Sequence, residues 1–137
     1  MASILKIDEL QGLTTTGDIT VTSEGGAATM QLQQGLTKFW IKINTSTFVV
    51  ADSLNNSSNT DNGSGLATHS FTNSMNNADY NFNSNRNGST NSTNGFIAES
   101  NSESASSIST SAKYIDSNSV NLGDASRLSV SIRGDLA

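Results

Sequence analysis

The feature that most constrains this chain is its small supply of large apolar side chains beside an excess of small polar ones. Asn, Ser and Thr account for 56 of the 137 residues, whereas Leu, Ile, Val and Phe account for 29. Ordering a backbone costs roughly 1–2 kcal/mol per residue, and so few apolar side chains offset that cost only narrowly. The sequence therefore leaves two alternatives, which are disorder and a domain that relies on burial against neighbouring subunits.

Composition and charge also exclude several classes of protein. The chain has no cysteine, which excludes disulfide scaffolds and cysteine-ligated metal sites. Its net charge is −5 and its Lys and Arg residues are scattered, so no basic surface for nucleic acid is indicated. No apolar run reaches the roughly 18 residues of a membrane helix, and the first residues lack the pattern of a signal peptide. We therefore expect no cofactor, no nucleic-acid partner and no membrane insertion.

The apolar residues occur in short bursts that are separated by turn-forming dipeptides such as Asn62-Gly63. In the bursts 39–43 and 128–132, apolar and polar residues alternate with the period of two that is typical of a half-buried strand. This pattern predicts an all-β fold, a small antiparallel β-sandwich of the jelly-roll-like kind. Apolar residues between Met30 and Lys38 follow helical spacing, so we expect at most a short helix near 30–38.

The beginning of the chain differs in character from the remainder. It carries a group of apolar residues that so short a segment cannot bury against itself: Ile4, Leu5, Ile7, Leu10 and Leu13. An extended arm that adds strands to a neighbouring protein would bury them. We therefore predict an anchoring arm over residues 1–28 and a β-sandwich domain over 29–137.

Two later stretches hold almost no large apolar residues. Residues 83–94 contain none, which indicates a long hairpin loop or a mobile excursion. Residues 100–111 are rich in serine, and Ile108 is their one large apolar residue. The sequence leaves disorder possible in these two stretches and favours ordered strands elsewhere.

No motif in the chain specifies catalysis or a metal site, so we expect a protein that is not an enzyme. His69 is the single histidine, but no Gly-x-Ser-x-Gly motif places a nucleophile for it. The acidic residues show no spacing that selects a catalytic pair. The loop 61–65 lacks the ligand spacing of an EF-hand and is better explained as an Asn-Gly turn. The tripeptide Arg133-Gly134-Asp135 is explained by the end of a strand and a turn.

The aromatic residues allow two interpretations. Trp40, Tyr80 and Tyr114 have side chains that can serve as stacking platforms for sugars. Each lies in or beside an apolar burst, however, which favours packing in a core or at an interface. We therefore assign Trp40, Phe71 and Tyr80 to the core or to an interface.

A central run of the sequence resembles a known type of protein. Residues 33–44 read Gln-Gln-Gly-Leu-Thr-Lys-Phe-Trp-Ile-Lys-Ile-Asn. This run resembles a segment common in structural proteins of marine bacteriophages, especially cyanophages, where Gln-Gln-Gly-Leu-x-Lys-x-Trp leads into a strand. The likeness extends roughly over residues 2–12 and 32–82, including 52–58, 60–65 and the aromatic pair Phe71 and Tyr80. The opening of the chain is similar to the start of many tail-fibre and virion surface proteins.

The resemblance implies a non-enzymatic virion component, made in the host cytoplasm and displayed on the particle surface. The chain is short for a whole tail fibre, which favours a capsid decoration (cement) protein or a short fibre or adaptor subunit, held by its N-terminal arm. By analogy with the family, its expected partners are copies of itself in a homotrimer and other virion proteins. The alternative is a tail-fibre receptor-binding module that recognises host surface glycans with its Asn-, Ser- and Thr-rich loops.

Overall fold

The computed structural model describes residues 6–11, 19–22, 26, 28–87, 96–116 and 119–137. The elements in this part of the chain are β1 (Thr20–Thr22), β2 (Thr29–Gln31), α1 (Leu32–Gly35), β3 (Thr37–Asn44), β4 (Val49–Leu54), β5 (Asn56–Gly63), β6 (Leu66–Phe71), β7 (Asn81–Asn87), β8 (Phe96–Glu103), β9 (Ser107–Asp116), β10 (Ser119–Leu122) and β11 (Arg127–Arg133).

The chain divides into two units, residues 1–36 and 37–137. In the first unit, β1 pairs with β2 in antiparallel fashion, and the backbone N–H of Leu32 donates to the carbonyl of Ile19. The single helical turn α1 lies within the range predicted for a short helix. Strand β2 pairs with β1, and the first unit ends at Leu36, whereas the boundary between arm and sandwich predicted from the sequence is at residue 28.

The second unit consists of two antiparallel sheets. The front sheet has the strand order β4-β3-β11-β7. The back sheet has the order β10-β9-β6-β5, and β8 also pairs with β9. The predicted all-β architecture, an antiparallel sandwich, is confirmed.

Alternating side chains from both sheets form the core of the sandwich. The front sheet contributes the inward residues Phe39, Ile41 and Ile43 of β3 and Leu128, Val130 and Ile132 of β11. These side chains meet residues of the back sheet, and the ring centroids of Phe39 and Phe71 lie 4.9 Å apart. Burial of this apolar surface is the main source of stability in such a sandwich.

The two serine- and asparagine-rich stretches are largely strands. Strand β7 continues to Asn87 because it pairs along its whole length with β11. Residues 100–103 belong to β8 and residues 107–111 to β9, and the two strands pair with each other. Disorder is therefore wrong for these residues, whereas residues 88–95 lie outside the described part of the chain. The inward positions of β9 include the polar residue Thr110, which is buried. The sequence of β9 therefore lacks the regular apolar alternation by which a strand is predicted.

Candidate functional site

The outer face of the front sheet carries two rows of side chains that run across its four strands. The strand registers place Leu54, Trp40, Ser131 and Asn83 side by side in the first row. The second row, two residues further along, contains Asp52, Lys42, Ser129 and Asn85. Neighbours within a row lie on adjacent strands, so their side chains share one surface.

The middle of these two rows forms a shallow groove of about 340 Å³. The small side chains of Ser129 and Ser131 form its floor, because serine on β11 leaves a depression between longer residues on both sides. One wall consists of Trp40 and Lys42 on β3, and the other of Asn83 and Asn85 on β7. The groove thus combines one aromatic ring, one ammonium group, two amides and two hydroxyls.

The polar groups of the groove are available to a ligand. Within the described part of the chain, the side chains of Asn83, Asn85, Ser129 and Ser131 make no hydrogen bond to another protein group. The inward residues of the same strand behave differently, since the Ser84 hydroxyl donates to the carbonyl of Ala98 at 2.7 Å. The alternation of β7 therefore separates residues that hold the fold from residues that face solvent.

Positive charge is concentrated on this face of a chain whose net charge is −5. The outward residues Lys42, Arg127 and Arg133 are exposed, and Asp52 is the one acidic residue in the four strands of the front sheet. The strands of the back sheet instead contain four acidic residues and one lysine, which are Asp61, Glu99, Glu103, Asp116 and Lys113. A second depression, of about 530 Å³, adjoins the groove at Lys42 and includes Arg127. The front sheet thus presents a surface that favours anionic ligands.

The three aromatic residues assigned from the sequence occupy two different environments. Phe71 and Tyr80 lie in the core, with ring centroids 6.0 Å apart. The Tyr80 hydroxyl is within hydrogen-bond distance of the carbonyls of Ser104 and Ser107, at 3.2 and 3.1 Å, and burial raises its pKa to about 12. Trp40 lies outside the core, half-buried on the outer face. For Trp40 the structure leaves the interface and the sugar platform as the two interpretations.

The amides of the groove were missed by the sequence analysis because residues 83–94 read as a loop. A signal was nevertheless present: Asn81, Asn83, Asn85 and Asn87 alternate with Phe82, Ser84 and Arg86. A search for apolar periodicity does not find this alternation, because only one of the three inward residues, Phe82, is apolar.

Of the residues assigned to the arm, the structure describes Ile7 and Leu10. Both are exposed, with 50% and 53% of their surface accessible. Ile4, Leu5 and Leu13 lie outside the described residues. The two described side chains therefore present apolar surface to solvent.

His69 lies inside the sandwich and lines neither depression on the front sheet. Its Nδ1 is 2.7 Å from the amide oxygen of Asn59, and its Nε2 is 3.2 Å from the hydroxyl of Thr110. Burial lowers the pKa of the imidazole to about 4. These contacts give His69 a structural role in the core.

The remaining motifs are explained by the fold. The turn between β5 and β6 consists of Ser64 and Gly65, so the predicted Asn-Gly turn is wrong by two residues: Asn62 and Gly63 belong to β5, where Gly63 pairs with Leu66. Gly63 and Gly65 have positive φ angles. Gly134 packs against Tyr80, and the carbonyl of Asp135 accepts a hydrogen bond from Asn76, so the Arg-Gly-Asp tripeptide is held against the domain. In the described part of the chain, no three His, Asp or Glu side chains form a metal-binding group. Its helical turn is not long or apolar enough to cross a membrane.

Comparison with known proteins identifies no relative: no family model matches the chain, and searches of curated proteins and of solved structures give no significant match.

Proposed function

We propose that this chain is a structural subunit of a bacteriophage virion, a capsid decoration protein or a short fibre or adaptor subunit that is anchored by its N-terminal arm. The observation that carries the proposal is the exposure of Ile7 and Leu10. Burial of these two side chains against an assembly partner would be favourable, because it would remove their apolar surface from water.

The sandwich domain suits a subunit that associates with copies of itself. Among the described strands, β4 pairs with β3 alone in the front sheet, and its residues Val49 and Leu54 are exposed. On the back sheet, β10 exposes Val120 and Leu122 in the same way. Edge strands with exposed apolar residues are suited to contacts between subunits. We propose that the subunit forms a homotrimer on the particle surface.

The test is incorporation into particles. Deleting residues 2–13 should abolish incorporation while the sandwich stays folded, as judged by circular dichroism. A sharper test uses two double variants. The first combines Ile7→Asn and Leu10→Asn, and the control combines Lys6→Gln and Gln11→Asn. The first variant should be lost from particles and the control retained; normal occupancy of the deleted chain would refute anchoring by the arm.

A second candidate function is recognition of host surface glycans, and the outward position of Trp40 beside free amides favours it. Tryptophan offers a broad apolar ring to one face of a sugar, while amides bond its hydroxyl groups. The experiment is binding of the intact chain to a glycan array, together with host adsorption of particles that carry or lack it. Flat array binding and unchanged adsorption would exclude this function and leave anchoring by the arm unaffected.

A further inference from the structure

We propose that the groove over Ser129 and Ser131 binds an acidic saccharide, a sugar chain that carries carboxylate or sulfate groups. This inference rests on the second candidate function and gives it a site and a class of ligand. The glycan would then bind to the outer face of the front sheet, and not to the Asn-, Ser- and Thr-rich loops that the sequence analysis favoured.

The dimensions of the groove suit a short stretch of a sugar chain. Its two walls stand on β3 and β7, which are separated by β11. Adjacent strands lie about 4.8 Å apart, so the strands that carry the walls are roughly 10 Å apart. The floor of serine hydroxyls lies between them along two successive outward positions of β11. A sugar ring can therefore lie over the serines and contact both walls.

The chemistry of the walls matches the two kinds of surface on a sugar ring. The half-buried ring of Trp40 offers an apolar face to the C–H groups of the sugar. On the opposite wall, each amide of Asn83 and Asn85 provides donors and an acceptor for hydroxyl groups. A few oriented polar groups around an apolar contact are typical of small-ligand sites.

The charge of the face selects an acidic saccharide over a neutral one. Lys42 lines the groove, and Arg127 lies in the depression that adjoins it. Asp52 is the cross-strand neighbour of Lys42, but no ion pair joins their side chains in the described part of the chain. The ion pair shown by the described residues joins Lys113 and Glu99 on the back sheet. The Lys42 ammonium is thus available to a carboxylate or sulfate, the type of contact that is stronger than a neutral hydrogen bond.

The binding experiment uses the intact chain with two probes, an oligogalacturonate and a neutral malto-oligosaccharide of equal length. Trp40 is the one tryptophan, so its fluorescence reports directly on the groove. We expect the acidic probe to change the emission of Trp40 and the neutral probe to bind at least about tenfold more weakly, a difference of about 1.4 kcal/mol. Equal binding of the two probes would overturn the choice of an acidic ligand.

Variants in the groove test the position of the site. Isothermal titration should show affinity for the oligogalacturonate falling about tenfold or more in Trp40→Ala, and by a similar factor in Asn83→Ala combined with Asn85→Ala. Lys42→Gln should reduce affinity for the acidic probe and leave the neutral probe unchanged. Circular dichroism and thermal unfolding of each variant confirm that the fold is retained, which these outward positions allow.

Matched controls lie outside the groove. Asn81→Ala with Asn87→Ala removes two amides from the same strand, and Lys113→Gln removes a cation from the back sheet. Both controls should bind as the parent chain does. If the groove variants also bind normally, glycan recognition stands but this site is wrong; if neither probe binds at millimolar concentration, the inference fails. A groove that instead accepts a second copy of the chain would show as a lower mass in solution for Trp40→Ala.

Discussion

The imidazole of His69 and the amide oxygen of Asn59 are joined by a hydrogen bond of 2.7 Å inside the sandwich. Because an amide oxygen only accepts, Nδ1 carries the hydrogen and Nε2 accepts from the hydroxyl of Thr110. Both contacts suit the neutral imidazole, whose ring also lies 6.3 Å from the ring of Phe39. The core therefore depends on a histidine that is not protonated.

Acid should destabilise the domain through this histidine. Its pKa falls from 6.5 to about 4 on folding, so the unfolded chain binds a proton that the folded chain rejects. The stability contributed by neutral His69 is complete above pH 6.5 and is lost progressively as the pH falls to about 4. We expect a loss of about 2 kcal/mol between pH 7 and 4.5.

Urea unfolding at several pH values measures this loss, and His69→Gln serves as the comparison. The glutamine variant should be less stable at pH 7 but should show a shallower decline between pH 6.5 and 4, because glutamine has no group that binds a proton in this range. Parallel pH profiles for the two proteins would show that His69 is not the group responsible.

Gly65 occupies a position that no other residue fits. Its φ angle is +71°, and an added Cβ would lie 2.5 Å from the carbonyl oxygen of Ala112 and 2.6 Å from the nitrogen of Gly123. Gly65→Ala should cost about 3 kcal/mol or more, since backbone strain and a backbone clash combine. Gly63→Ala is the control, because its φ is also positive but nothing lies within 4 Å of the added atom. Similar unfolding midpoints for the two variants would contradict the importance of the close approach.

Arg86 should be irreplaceable for a geometric reason. Its guanidinium donates to three backbone carbonyls, those of Lys113, Gly123 and Asp124, at 3.1, 3.1 and 2.7 Å. A lysine carries the same charge but lacks the planar fork, so it cannot reach all three acceptors. We expect Arg86→Lys to lower the free energy of unfolding by about 2 kcal/mol. Arg133→Lys, at an exposed position of the same sheet, should change the free energy of unfolding little. Equal effects of Arg86→Lys and Arg133→Lys would indicate that only the charge of Arg86 matters.

The alternation of the sequence revealed β3 and β11 because their inward residues are all apolar, as in Phe39, Ile41 and Ile43. It did not reveal β7, whose inward Ser84 and Arg86 are stabilised by hydrogen bonds to backbone carbonyls of the back sheet. Those partners are distant in sequence, so no local pattern predicts them. The same strand supplies the groove's amides, and that is why half of the candidate site was hidden. The sequence assigned Trp40 to the core or to an interface, and its position outside the core follows from its place opposite Phe39 in the alternation of β3.

Trp40 also allows a test of the surface charge without any ligand. Exposed Lys42 lies two residues away on the same face of β3, and Arg127 adjoins it. Iodide should therefore quench the fluorescence of Trp40 more strongly than caesium, because the local potential attracts anions and repels cations. Raising the salt concentration should reduce the difference, since the Debye length falls to about 3 Å at 1 M. Lys42→Gln should reduce it as well, whereas Lys113→Gln on the back sheet should not. Equal quenching by both ions at low salt would mean that acidic residues elsewhere in the chain cancel the positive potential of this face. The preference for an acidic saccharide would then be contradicted.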